Sequence, residues 1–107
     1  MTGTLEAMVV GTAIVLAPAA SIAGADAIAV AAGAQLYGDY CSHCHGEQLK
    51  NTSAGGTFDL RRLRPADRER FFTAVLNGKS QMPPWRGVLK AAQIESIWAY
   101  ILATVDR

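Results

Sequence analysis

From residue 26 onward no segment alternates apolar and polar residues long enough to read as a strand, whereas three segments carry apolar side chains at helical spacing. The spacing predicts a first helix from about Ala29 into Cys41, with Leu36, Tyr37 and Tyr40 on neighbouring turns. A second starts near Pro65, a residue suited to a first helical turn, and runs through ADRERFFTAVLN. Its apolar face is Phe71, Phe72, Val75 and Leu76, and Gly78 is placed to end it. The third is AAQIESIWAYILATV, where Ile94, Ile97, Trp98, Ile101 and Leu102 follow the i, i+3, i+4, i+7, i+8 pattern of a buried stripe. Two loops separate the helices. Residues 46–63 are rich in Gly, Ser, Thr and Asn, and residues 79–90 contain Met82-Pro83-Pro84-Trp85. The expected architecture is all-α, about three helices and two long loops. Such an assembly buries little apolar surface unless something large sits between the loops.

The segment ahead of these helices reads differently. From Ala7 to Ala25 no residue is charged, and MVVGTAIVLAPAASIAGA is apolar and small-residued. This suits a secretory signal peptide over residues 1–25, with cleavage near Gly24 or Asp26 and a folded domain over 26–107. The n-region MTGTLEAM carries Glu6 and no Lys or Arg, which keeps an uncleaved membrane anchor open as the alternative. Pro18 and the shortness of the strongly apolar part argue against a full span. The remaining chain of about eighty residues is small for a self-sufficient core, and domains of that size lean on a disulfide, a metal or another staple. The net charge of +1 leaves no general footprint for nucleic acid. Arg61, Arg62, Arg64, Arg68 and Arg70 nevertheless crowd one stretch.

The staple is visible in YCSHCHGE. Both cysteines and both histidines of the chain lie between Cys41 and His45. A zinc site needs four ligands, and here only Cys41, Cys44 and a histidine are on offer. A thioredoxin-type pair belongs in a βαβ setting that these helices do not provide. A disulfide between Cys41 and Cys44 would close a very small loop and stabilise little. The remaining reading is C-x-x-C-H, the attachment motif of a c-type haem. Thiols three residues apart reach two vinyl groups along one porphyrin edge, and the adjacent His45 directs a ring nitrogen at iron. His43, between the cysteines, then faces elsewhere as an exposed spacer. A covalently held apolar disc also supplies what the helices and loops lack. For the opposite axial position, the chain after the leader has one methionine, Met82, 37 positions beyond His45 and stiffened by Pro83 and Pro84. His/Met ligation raises the reduction potential and leaves no open position for oxygen or peroxide.

Taken together, Gly33-x-x-x-Tyr37-x-x-x-Cys41-Ser42-His43-Cys44-His45-Gly46, then NGKSQMPPW, then IESIWAYI resemble a class I cytochrome c. The resemblance covers nearly everything after the leader. It implies the small cytochrome c fold, thioether attachment at Cys41 and Cys44, and axial ligation by His45 and Met82. It also implies crossed terminal helices, with Gly33 or Gly38 facing Trp98 or Tyr100. Members often carry a proline soon after the attachment motif, whose carbonyl accepts the Nδ1–H of the axial histidine. The corresponding loop NTSAGGTFDL has none, so a carbonyl near residues 51 to 57 is expected to serve. GGTFDLRR and NGKSQMPPWRGVL are further similar to small periplasmic cytochromes that accept electrons from pyrroloquinoline-quinone alcohol dehydrogenases.

The expected function is therefore periplasmic one-electron transfer by a monomer with haem c, and not an enzymatic activity. The expected donor is a periplasmic dehydrogenase, and the acceptor a terminal oxidase or another cytochrome. A haem sensor or peroxidase-like module, in which Met82 dissociates, is the alternative, and a haem-free thiol or metal module is a third. Arg61 or Arg62 is a candidate partner for a haem propionate. The other arginines read either as a solvated face or as a docking patch for an acidic partner. Trp85 is expected over the haem edge, Trp98 in the core, and Tyr37 and Phe72 in packing roles.

Overall fold

Helix α4, Ala91–Val105, coincides with the third predicted segment. Ile94, Ile97, Trp98 and Ile101 are buried along one stripe, as the spacing requires. Burying each side chain contributes about 1.5–3 kcal/mol. At its start the Gln93 side chain accepts a hydrogen bond from the Lys90 amide at 2.7 Å, using one otherwise unpaired donor of the first turn.

The computed structural model describes residues 18–51 and 57–105, with side chains from residue 26 onward. Helix α1 spans Pro18–Tyr40, so it begins well before the expected Ala29. Pro18 suits a first turn, and the alanine-rich run after it has the highest intrinsic helix propensity, which carries the helix through the proposed leader boundary at residue 25. Most of the proposed leader, residues 1–17, lies outside the described residues. Among those described, no helix is long and apolar enough to cross a membrane.

Helices α1 and α4 cross at Gly33, and the reason is spatial. A Cβ at Gly33 would stand 1.8 Å from the Ser96 carbonyl oxygen and 2.9 Å from the Tyr100 Cβ. Gly38, the other candidate for this crossing, has nothing within 4 Å. The residue opposite is therefore Ser96 with Tyr100, and not Trp98, which turns into the core.

After a turn at Cys41 the chain forms the short helix α2, Ser42–His45. Further on, a 3₁₀ turn over Pro65–Asp67 leads into α3, Arg68–Asn77, which ends at Gly78 as expected. The Asp67 carboxylate accepts from the Arg64 amide at 2.9 Å and fixes the entry. One apolar cluster joins these pieces: Tyr37, Leu49, Leu60, Leu63, Phe71, Val75, Leu89 and the α4 stripe. Among the described residues there is no strand, only isolated bridges between Lys79 and Met82 and between Arg86 and Leu89. The fold is all-α.

Candidate functional site

The C-x-x-C-H motif is held in helical geometry although α1 stops at Tyr40. The Cys41 amide donates to the Tyr37 carbonyl at 2.9 Å, the His45 amide to the Cys41 carbonyl at 3.0 Å, and the Gly46 amide to the Ser42 carbonyl at 2.9 Å. Cys41 and Cys44, three residues apart, are thus on neighbouring positions of one turn. Both are free thiols, Cys41 half-buried and Cys44 exposed. Burial pushes the Cys41 thiol up to about 11, with the neighbouring Cys44 adding to the effect. His43 is exposed, as expected of a spacer.

His45 is half-buried, and its Nδ1 lies 3.1 Å from the Phe58 carbonyl oxygen. A carbonyl can only accept, so Nδ1 carries the proton, and in the neutral ring the lone pair is then on Nε2. Burial lowers the imidazole pKa, and the hydrogen bond to Phe58 partly opposes that. Burial thereby favours the neutral ring, the form that binds metal. The accepting carbonyl falls one residue beyond the expected range of 51 to 57. The chain leaves His45 through Gly46 at φ 86, then Gln48 at 55, Leu49 at 65 and Asn51 at 50, all left-handed. That tight path spends residues locally and brings the Asn51 amide to the His45 carbonyl at 2.7 Å before the chain returns.

Met82 is half-buried on the loop after α3 and packs, with Cys41, Tyr40 and Trp85, against the same apolar cluster. Lys79 and Met82 exchange backbone hydrogen bonds of 3.1 and 2.9 Å, closing a turn with Ser80 at φ 55. The Trp85 amide donates to the Val75 carbonyl at 2.7 Å, and Arg86 Nη2 to the Asn77 side chain at 2.6 Å. These pin the far end of the loop to α3. Gly78, at φ 79, is required here, because a Cβ would stand 2.7 Å from the Met82 carbonyl oxygen. Tyr40 and Trp85 meet edge to face, 5.5 Å between centroids, so the attachment side and the methionine loop touch through aromatic rings.

Several contributors were not legible as such. Tyr37, expected only to pack, also donates its hydroxyl to the Gly46 carbonyl at 2.6 Å. Asn51 and Thr57 bond one another beside the motif. Residues that hydrogen-bond to backbone leave no periodic signal; the missing proline was the only cue. Arg61 is committed to both oxygens of Asp59, at 2.9 and 3.0 Å, and this pairing, first through its hydrogen bond, lowers the Asp59 pKa. The Arg62 guanidinium lies 6.0 Å from the centroid of the Phe58 ring. Phe72 packs as expected, with Arg68 over its face and Arg68 paired to Glu95.

Two free thiols on one turn, an imidazole whose Nδ1 is committed to the Phe58 carbonyl and a surrounding apolar layer form a donor set that fits haem. Among the described residues no three His, Cys, Asp or Glu side chains gather as a metal cage. Comparison with known proteins points the same way. Residues 28–101 match the family model described as cytochrome C oxidase, cbb3-type, subunit III. The quinohemoprotein alcohol dehydrogenase ADH IIB of Pseudomonas putida is 41% identical over 78 residues, 69% of this chain, and the chain spans only 11% of that protein's length. Cytochrome c6 of Nostoc sp. is 34% identical over 77 residues, 69% of each chain. A solved structure of quinohemoprotein alcohol dehydrogenase ADHIIG from Pseudomonas putida HK5 has a TM-score of 0.63 over 98% of this chain and 15% of its own. At 22% identity that likeness speaks for the fold alone. The family match and the relatives together place the chain in the cytochrome c family: it is a class I c-type cytochrome whose cofactor is haem c.

Proposed function

We propose that the protein is an exported one-electron carrier in which Cys41 and Cys44 hold haem covalently and His45 and Met82 are its axial ligands. The observation that carries this reading is the imidazole of His45, its Nδ1 fixed 3.1 Å from the Phe58 carbonyl oxygen, beside two free thiols on the same turn. When bound, haem supplies a ferric–ferrous couple. The Nδ1–H donation increases the basicity of the ligating nitrogen. The thioether of Met82, steadied by its turn with Lys79 and by Pro83 and Pro84, favours the ferrous form. Tyr40 and Trp85 contribute apolar surface that excludes water. With two strong ligands in place the site passes electrons and does no bond-making chemistry, so the chain acts as a carrier and not as an enzyme.

Residues 1–25 act as the export signal in this reading, and the carrier works in the periplasm. Cleavage there would leave α1 starting at the mature N-terminus. Similarity to quinohemoprotein alcohol dehydrogenases supports a periplasmic alcohol dehydrogenase as donor. A terminal oxidase or another cytochrome is the acceptor. The axial assignment is tested by near-infrared absorption of the ferric protein at neutral pH. A thioether-ligated band that disappears in Met82→Ala is expected. Rapid carbon monoxide binding by the unaltered ferrous protein would instead favour the sensor reading, with Met82 off the iron.

A further inference from the structure

We infer that Asn51 and Thr57 are positioning residues, a side-chain clasp that keeps the Phe58 carbonyl on His45 where relatives of this fold often use a proline. The inference rests on the axial role proposed for His45.

The contacts form a closed ring. The Asn51 amide donates to the His45 carbonyl at 2.7 Å. Asn51 Nδ2 donates to the Thr57 carbonyl at 3.2 Å, and the Thr57 hydroxyl lies 2.6 Å from Asn51 Oδ1. The same hydroxyl is 3.1 Å from the Cys44 carbonyl. It has one proton, and the shorter contact to Oδ1 takes the larger share. The pairing also fixes which way the Asn51 amide points. Reversed, it would set its oxygen against the Thr57 carbonyl oxygen, where neither atom can donate. Thr57 is thereby held at both its side chain and its backbone. The next carbonyl along the chain, that of Phe58, is the one that accepts from His45.

Residue type agrees with this role twice over. Asn51 sits at φ 50, a left-handed conformation that asparagine tolerates better than most side chains. From outside, the Arg70 guanidinium lies 5.1 Å from the centroid of the Phe58 ring, so the residue bearing the accepting carbonyl is steadied on its solvent side as well. A proline would fix its own φ; the clasp instead fixes the residue ahead of the carbonyl by hydrogen bonds.

The test uses the haem-loaded protein and reads two things: hydrogen exchange of the His45 Nδ1–H by NMR in the ferrous state, and the reduction potential. Thr57→Val keeps the shape and removes the hydroxyl. Asn51→Gly removes the side chain at a φ that glycine accepts. Each should speed Nδ1–H exchange about tenfold, the change expected for losing roughly one net hydrogen bond. Each should also raise the potential, because a weaker Nδ1–H···O bond makes a less basic ligand. Thr57→Ser should restore both. Gln93→Ala, which removes the bond to the Lys90 amide at the start of α4 at a comparable stability cost, should move neither. Unchanged exchange in T57V and N51G, or an equal effect of Q93A, overturns the clasp. Faster exchange with an unchanged potential supports the clasp and refutes His45 as an iron ligand instead.

Discussion

The hydroxyl of Tyr37 donates to the carbonyl of Gly46 at 2.6 Å, joining the interior of α1 to the residue that follows His45. Tyr37 is 2% exposed and its ring leans on Tyr100 of α4, so packing and hydrogen bonding use one side chain. Tyr37→Phe keeps the packing and leaves the Gly46 carbonyl without this donor. The expected cost at pH 7 is about 1–3 kcal/mol in denaturant unfolding.

The same residue sets an alkaline dependence. Burial is the largest cause that raises the Tyr37 pKa well above its ordinary value of 10.0, so the folded chain holds the proton more tightly than the unfolded chain. Tyr37's contribution is complete below about pH 10 and is lost as pH rises beyond that toward the folded value. The stability gap between the wild type and Y37F should therefore narrow above pH 10. Unfolding curves on both sides of that pH measure it, and a constant gap would show that Tyr37 holds its proton no more tightly in the folded chain than in the unfolded one.

Glycines five residues apart on α1 are expected to respond with opposite signs. Gly33→Ala forces a methyl into the Ser96 carbonyl, and rigid backbone cannot yield cheaply, so about 3 kcal/mol of stability should be lost. Gly38→Ala meets open space in a helix and should gain up to about 1 kcal/mol. Thermal unfolding of the two variants against the parent checks both.

Gly78 links α3 to the methionine loop. Gly78→Ala combines a left-handed φ with a clash against the Met82 carbonyl, at a cost of about 1–3 kcal/mol. If Met82 ligates iron, the same change should weaken the ferric near-infrared band and speed carbon monoxide binding, which absorption spectroscopy reads directly.

Periodicity made α4 legible to its ends and α3 nearly so, because an amphipathic stripe and a Pro-to-Gly frame both leave marks in the sequence. The start of α1 left none. Its alanines have high propensity and no apolar face, so spacing detected only the part that packs beneath Leu36, Tyr37 and Tyr40. Cys41, Cys44 and His45 stood out through spacing alone, since they are neighbours on one turn. Counting along the loop puts the carbonyl on His45 one residue short, because it ignores the left-handed residues Gln48, Leu49 and Asn51 that shape the path. The choice between Gly33 and Gly38 needed the opposing helix, which only the folded chain supplies.

Intact mass of the protein purified from the periplasm of a host that matures c-type cytochromes is the most direct measure of the account. One polypeptide, trimmed near residue 25 and heavier by one haem, is expected, with the addition lost when Cys41 and Cys44 are both replaced by alanine. An unmodified polypeptide mass from that host would contradict it.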